Sequence, residues 1–459
     1  MNTQRDDSRI NFSHVSVLDG VRAAAILIVA WFHVWQQSWL IPAWDTPGLA
    51  FLGVARINLD AVPRTGYLFV DLMLLISAFC LFLPHARAML LGEPVPDTRL
   101  FYKKRLIRIL PPYLLCVFVI FFGYALPSGA YPSAAAMGRD LLATLTFTQT
   151  FAVDTYIGTH INVVLWTVAI EMQFYLLFPL LAKAFRRRPL AAYLAMVAVS
   201  ELYLRCYALP NPDGLRMTLN QLIAFFGVFA NGMAGAYLYV LLGRASLRLT
   251  LPWQRRTLSA GSTLLAVLSA ALIAVFQNSA ACANPVQVFQ AEYRFLLSAV
   301  FLLSILSLSF SCRALQWVFS NRIMRFLAAI SYNLYIWHQW LAVRLKDWRI
   351  PYWEGDTLPN MAGNRVWQWE YTLLVFALSI GLAALITYAF ERPVSRRLLA
   401  RFGAAQGGKA AGKESLHRGE SVICTTPVIP AGCAPCASRS TSRTVSSKTS
   451  PFSAAATGT

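Results

Sequence analysis

The sequence predicts an all-α fold, a polytopic membrane bundle of about ten transmembrane helices with both termini in the cytoplasm. Of its residues, 57% are hydrophobic and only 13% are charged, whereas a soluble domain carries about 25% charged residues. The hydrophobic residues stand in long blocks instead of spaced apolar faces. Because a helix needs roughly 20 mostly apolar residues to cross the hydrocarbon core, each block is a candidate span.

The charge of the loops predicts how these spans are oriented. The blocks lie near residues 20-41, 66-84, 109-127, 162-182, 190-207, 218-242, 258-277, 293-311, 326-344 and 370-390. Loops dense in Lys and Arg alternate with loops that have few, such as 278-292. Since cytoplasmic loops are the ones enriched in Lys and Arg, this pattern places both termini in the cytoplasm. The net charge of +19 therefore reflects membrane orientation, and no nucleic-acid partner is predicted.

Polar segments flank one membrane domain. Residues 1-17 are predicted to be a cytoplasmic segment, residues 18-400 the membrane domain, and residues 401-459, rich in Gly, Ala, Ser, Thr and Lys, a disordered cytoplasmic tail. The tail contains a C-x-x-C pair, Cys433 and Cys436, but no second pair stands at zinc-ligand spacing. No metal site is therefore predicted.

Ionisable residues inside the blocks are candidates for function, since a charge at the bilayer centre costs about 2.5–3.5 kcal/mol. Arg22 and His33 are eleven residues apart in the first block. On a helix this spacing turns the two side chains by only about 20° and separates them by about 16 Å. A snorkelling arginine and a histidine bonded to a neighbouring helix would be the structural explanation. The shared face favours a functional pair.

Glu171 stands in the middle of the fourth block with no cation near it in sequence. Its partner must then come from another helix, and His33 or Arg22 is the expected one. A carboxylate beside an imidazole orients the ring and raises its basicity, as a general base requires. Asp71, near the outer end of the second block, is a further candidate, with helix capping or a salt bridge as the alternative.

Two more patterns carry polar chemistry. Arg105 and Arg108 share one helix face at i,i+3 spacing, and guanidinium groups suit phosphates. Ordinary positive-inside anchoring is the alternative for this pair. Ser331, Tyr335 and His338 are spaced i, i+4, i+7 and form a polar stripe on the ninth block.

The candidate residues stand in six short segments, which are Leu18-Asp19-Gly20-x-Arg22 with His33, Phe69 to Phe79, Arg105-x-x-Arg108 before Pro-Pro-Tyr, Trp166 with Glu171-x-Gln173-Phe174-Tyr175, Ser331-Tyr332-x-Leu334-Tyr335-x-Trp337-His338, and Glu391-x-Pro393. Together these segments resemble the acyltransferase-3 family of bacterial membrane acyltransferases, which O-acylate sugars and other cell-surface molecules. Two residues depart from the family pattern: Ala78 stands where the family more often has Gly, and Ala169 where it more often has Glu or Val.

The resemblance implies a multi-pass protein of the bacterial cytoplasmic (inner) membrane, in contact with membrane lipids. It implies a cytoplasmic acyl-CoA donor, most commonly acetyl-CoA, and a hydroxyl acceptor on an envelope or exported carbohydrate or glycolipid. No oligomeric state follows from it. The implied roles are donor binding for Arg22, Arg105 and Arg108, general base or acyl relay for His33, orientation of that ring for Glu171, and substrate contact or support for Asp71, Ser331, Tyr335 and His338.

A transporter or flippase that relays protons through membrane-embedded residues is the alternative function. No internal repeat is apparent, although many transporters are built from two related halves, and the cytoplasmic arginine pair also counts against it. Saturable, arginine-dependent binding of acetyl-CoA would separate the two. A purely structural membrane subunit leaves Glu171 and His338 without an explanation.

Overall fold

The computed structural model describes residue 12, residues 14–53 and residues 55–407. The first helix begins at Ser16 and the last one ends at Gly407. The described part of the predicted tail is therefore helical. The remainder of the tail, with Cys433 and Cys436, lies outside the described residues.

The described chain is almost entirely helical, as predicted. A single two-stranded antiparallel sheet pairs β1 (Ala43–Asp45) with β2 (Arg56–Asn58) in the first predicted outer segment. The α-helices are α1 Ser16–Ser38, α2 Ala61–Arg64, α3 Phe69–Leu91, α4 Thr98–Ile120, α5 Ala134–Leu145, α6 Val153–Tyr156, α7 Trp166–Arg187, α8 Pro189–Tyr203, α9 Leu215–Thr218, α10 Phe226–Leu247, α11 Pro252–Cys282, α12 Val286–Phe310, α13 Arg313–Ser320, α14 Arg322–Asp347, α15 Arg365–Leu385 and α16 Arg392–Gly407.

Long helices occupy all of the predicted blocks. Within the described residues, nine helical segments are long and apolar enough to cross a membrane. The block near 326-344 forms α14, which at 26 residues is about 39 Å long but is more polar. It packs between α1 and α15, so its polar side chains face protein, where a membrane helix tolerates them. We therefore count α14 as the tenth span of a polytopic helical bundle.

Glycines allow two close helix contacts that build this bundle. α3 packs along α10, and a Cβ on Gly232 would collide with the Leu75 carbonyl of α3. A Cβ on Gly20 of α1 would collide with the backbone of Phe319 in α13. Small residues permit such close approach between membrane helices. The glycine of the Leu-Asp-Gly-x-Arg segment thus has a packing role beside the candidate site residues that follow it.

The segment between α4 and α7 is ordered around one carboxylate. Asp140 of α5 is buried and accepts hydrogen bonds from the Tyr131 hydroxyl at 2.9 Å, the Thr159 hydroxyl at 3.1 Å and the His160 backbone N–H at 3.1 Å. Burial raises the pKa of the Asp140 carboxyl, and these hydrogen bonds partly offset that effect. These hydrogen bonds order the segment that carries Tyr156, a residue that lines a cavity described below.

Candidate active site

Two cavities lie near opposite ends of α1. The arginine cavity, about 110 Å³, contains Arg22, and the histidine cavity, about 600 Å³, contains His33. The eleven residues between them correspond to a rise of about 16 Å along the helix. The pair predicted to share one helix face thus reaches two separate spaces rather than one.

The arginine cavity concentrates positive charge. Arg22, Arg105 and Arg108 all line it, and Glu171 is the single carboxylate among its described lining residues. Arg105 has a buried Nε with no hydrogen-bond partner among the described residues, and its guanidinium lies 5.9 Å from the centre of the Phe101 ring. Three guanidinium groups against one carboxylate leave a site that favours an anionic ligand.

The structure gives Glu171 a hydrogen-bond partner other than His33, whereas Arg22, the other expected partner, lines the same cavity as Glu171. Its carboxylate accepts a hydrogen bond from the Ser77 hydroxyl of α3, and the Tyr175 hydroxyl lies 3.4 Å from that same hydroxyl. No contact joins Glu171 to His33, because Glu171 lines the arginine cavity and His33 the histidine cavity. Glu171 is therefore placed to act on the contents of the arginine cavity.

His33 lines the histidine cavity, and one hydrogen bond determines which of its ring nitrogens carries the proton. Its Nδ1 lies 2.9 Å from Oε1 of Gln36, one helical turn away. A carbonyl oxygen only accepts, so in this arrangement Nδ1 carries the proton and Nε2 keeps its lone pair. This is the tautomer that a general base requires.

A second histidine lies against the first. The His338 ring centre is 5.1 Å from that of His33, and the side chain is fully buried. Nδ1 of His338 lies 2.7 Å from the Tyr335 carbonyl and 3.1 Å from the Leu334 carbonyl, so Nδ1 is the protonated nitrogen. Its Nε2 has no hydrogen-bond partner among the described residues. A vacant acceptor thus stands beside His33.

One thin wall divides the two cavities. Val70 of α3 and Tyr335 of α14 are the only described residues that line both of them. Both residues are buried. These two side chains therefore lie between the arginine cavity and the histidine cavity, which contains His33.

The chain's similarity to known proteins covers most of this architecture. A family model described as an acyltransferase domain, Acyl_transf_3, matches residues 15–391. The chain belongs to the acyltransferase-3 family. No curated protein and no solved structure matches it. The protein is therefore a multi-pass membrane acyltransferase, and the resemblance carried by the sequence segments is confirmed.

The motif residue Glu391 of the acyltransferase lies outside both cavities. Glu391, near the end of the matched region, accepts a hydrogen bond from the Asn333 amide at 2.6 Å. The same amide donates to the Thr387 hydroxyl at 2.7 Å. These contacts hold α14, which carries Tyr335 and His338, to the last membrane segment. The Glu391 motif thus positions the helix that supplies the wall and the second histidine.

Asp71 of the acyltransferase forms a salt bridge, which was the structural alternative predicted for it, and its partner was not among the predicted residues. Its Oδ2 lies 3.4 Å from Nε of Arg294 in α12, and each side chain is only 1% exposed. Nη1 of Arg294 also donates to the Leu219 carbonyl at 2.7 Å. Asp71 therefore lines neither cavity. Arg294 is that partner, and it stands inside the block 293-311. It would have been a candidate under the criterion that selected Glu171, which is an ionisable residue inside a predicted span.

The remaining predicted residue, Ser331, lines the arginine cavity. Its hydroxyl donates to the Ala328 carbonyl of its own helix at 2.8 Å. The three residues of the polar stripe on α14 therefore have different surroundings. Ser331 lines the arginine cavity, Tyr335 contributes to the wall between the cavities, and His338 packs against the His33 ring. The side chains that complete the histidine cavity had no signal in the sequence, since Trp35, Gln36 and Tyr67 are ordinary residues at a membrane interface.

Proposed function

We propose that this acyltransferase moves an acetyl group from cytoplasmic acetyl-CoA to a hydroxyl of an envelope or exported carbohydrate. The observation that carries the proposal is the division of the site: an arginine-lined cavity and a histidine-lined cavity share one wall. The loop charges assign the arginine cavity to the cytoplasmic side and the histidine cavity to the outer side. Donor and acceptor then approach from opposite faces of the membrane.

The donor binds in the arginine cavity through its charge. The phosphates of CoA pair with Arg105 and Arg108, and Arg22 lies deeper along the path of the thioester. Guanidinium groups bind phosphate with paired, charge-assisted hydrogen bonds. The acyl end then reaches the wall formed by Val70 and Tyr335, beyond which lies His33.

The transfer itself needs one base and one leaving group. The acceptor hydroxyl loses its proton to Nε2 of His33, its oxygen bonds to the thioester carbonyl carbon, and the carbon–sulfur bond breaks. The electron pair of that bond leaves with the CoA sulfur, which takes up the proton held by His33, so the products are an ester and free CoA and the histidine is neutral again. His338, with its vacant Nε2 beside His33, accepts a hydrogen bond from the protonated ring. Relay of the acyl group through His33 gives the same products in two steps.

Acetyl-CoA binding tests the donor half of the proposal. Arg105→Ala and Arg108→Ala should each weaken acetyl-CoA binding by about tenfold, the effect of losing one charge-assisted hydrogen bond. Binding is measured by titration of the purified protein in lipid nanodiscs. Arg99→Ala is the matched control, because Arg99 is exposed on the same helix and does not line the cavity. A transporter or flippase would give no saturable signal, and equal losses in all three variants would contradict the proposal.

The wall predicts the length of the acyl group. Val70→Ala should raise the rate with butyryl-CoA relative to acetyl-CoA by about tenfold, because one methylene in an apolar pocket is worth about 1–3 kcal/mol. The measurement compares transfer rates for the two donors. Val168→Ala removes the same atoms from a residue that lines the arginine cavity alone, so it should leave the donor preference unchanged. An unchanged preference in Val70→Ala would show that the acyl group does not pass this wall.

A further inference from the structure

The histidine cavity has a lining suited to a polar ring compound. Six Phe, Tyr and Trp residues line it together with amide side chains, and this mixture binds flat apolar faces and hydroxyl groups at the same time. The aromatic residues are Phe32, Trp35, Tyr67, Tyr156, Trp166 and Tyr335, and the amides are Gln36, Asn220, Gln287 and Gln290.

Two of these side chains hold donors that no described residue satisfies. The indole Nε1 of Trp35 and the hydroxyl of Tyr67 are buried, and neither has a hydrogen-bond partner in the part of the chain that the structure describes. A buried donor without a partner costs about 1–3 kcal/mol. A ligand that offers oxygen atoms to both groups would remove that cost.

The charge of the cavity is positive. Arg64 and Arg216 line it, and no described lining residue carries a carboxylate. Arg216 is exposed and forms no ion pair with any described residue. Arg64 pairs with Asp60 at 3.0 Å, one turn earlier in the chain, but a guanidinium has five N–H donors and keeps others for a ligand. Arginine is disfavoured on outer loops, so two of them on one outer cavity call for a reason.

We propose that the histidine cavity binds its acceptor as an anionic carbohydrate, whose carboxylate or phosphate pairs with Arg64 and Arg216 while its ring lies against the aromatic side chains. This inference rests on the proposed function and narrows its acceptor. The paired anion holds the sugar in one orientation, which selects the hydroxyl that is presented to Nε2 of His33. Neutral sugars of the same size lack that contact and bind more weakly.

Binding of defined sugars tests the inference. The probes are trigalacturonate against maltotriose, and glucose 6-phosphate against glucose, titrated into the full chain in phosphatidylcholine nanodiscs. The readout is tryptophan fluorescence, since Trp35 and Trp166 line the cavity. At least one anionic probe should bind about tenfold more tightly than its neutral counterpart, the effect of one charge-assisted contact. The preferred probe identifies the anion as a carboxylate or a phosphate.

Variants locate the contact. Arg64→Ala and Arg216→Ala should each weaken binding of the anionic probe by about threefold to tenfold and leave binding of the neutral sugar unchanged. Arg205→Ala is the matched control, because Arg205 forms a similar i,i+4 pair with Glu201 at 3.1 Å and lies outside the cavity lining. A loss of the same size in Arg205→Ala would assign the effect to general surface charge and overturn the inference.

Three other results would also overturn the inference. The first is equal affinity for anionic and neutral probes, and the second is a preparation that binds acetyl-CoA but neither anionic probe. The third is loss of the preference for the anionic probe when phosphatidylglycerol is added to the nanodisc, which would assign the arginines to lipid phosphate. A preparation that does not bind acetyl-CoA contradicts the proposed function instead. The failures of the two proposals are thus distinguished in one experiment.

Discussion

His33→Ala is expected to lower acyl transfer by about 10²- to 10⁴-fold, the usual contribution of a general base. The physical reason is that His33 lines the histidine cavity and its Nδ1 is held by Gln36, which leaves Nε2 as the ring nitrogen that can accept a proton. Affinity for acetyl-CoA should stay within about twofold of the original, since no donor contact of charge-assisted strength is removed. The measurement is transfer of labelled acetyl from acetyl-CoA, together with acetyl-CoA binding on the same preparation.

The control for this prediction is His160→Ala. His160 is exposed in the segment before α7 and lines neither cavity, so its loss should leave transfer unchanged. Unaltered transfer in His33→Ala, in protein that remains folded and inserted, would remove His33 from the chemistry. Weakened acetyl-CoA binding in the same variant would instead move the donor site to the histidine cavity.

The buried ion pair is expected to have the largest effect on stability. Asp71→Leu and Arg294→Met should each lower the free energy of unfolding by about 3–5 kcal/mol, because each leaves one buried charge without its partner. The pair joins α3 to α12, and the Arg294 guanidinium also lies 4.2 Å from the centre of the Phe225 ring. The double variant should lose less than either single variant, since two apolar side chains replace two charges. Thermal unfolding in detergent completes the double-mutant cycle.

An exposed pair is the control for this cycle. Arg205 and Glu201 lie 3.1 Å apart, but the Arg205 side chain is 66% exposed. Arg205→Ala should therefore cost less than about 1 kcal/mol. Losses at Asp71 and Arg294 that are no larger than this, or losses that simply add in the double variant, would mean that the pair does not act as a buried unit.

The spans and the arginine pair on α4 could be predicted from the sequence because local patterns determine them. A block of apolar residues specifies a membrane helix wherever it stands, and i,i+3 spacing places Arg105 and Arg108 on one helix face. Both features depend on helix geometry alone, so no knowledge of neighbouring helices was needed. Arg22, which the sequence analysis grouped with this pair, lines the same cavity, and that meeting depends on where α1 and α4 lie in the bundle.

The pairing of residues between helices could not be predicted in this way. Glu171 meets Ser77 rather than His33, and Asp71 meets Arg294, because helix packing sets the depth at which two side chains meet. The spacing of Arg22 and His33 predicted a common helix face but did not indicate that the two residues line different cavities, which share Val70 and Tyr335. The wall is contributed by α3 and α14, which are distant in sequence, and so only the folded bundle shows it.

Mass spectrometry of envelope glycans and glycolipids tests the proposed reaction most directly. Three strains are compared: one without the gene, one complemented with the original protein, and one complemented with His33→Ala. We expect an acyl group on a carbohydrate of the complemented strain that is missing from both other strains, at equal levels of inserted protein. Glycans and glycolipids that carry the same acyl groups in all three strains would contradict transfer to an envelope or exported carbohydrate.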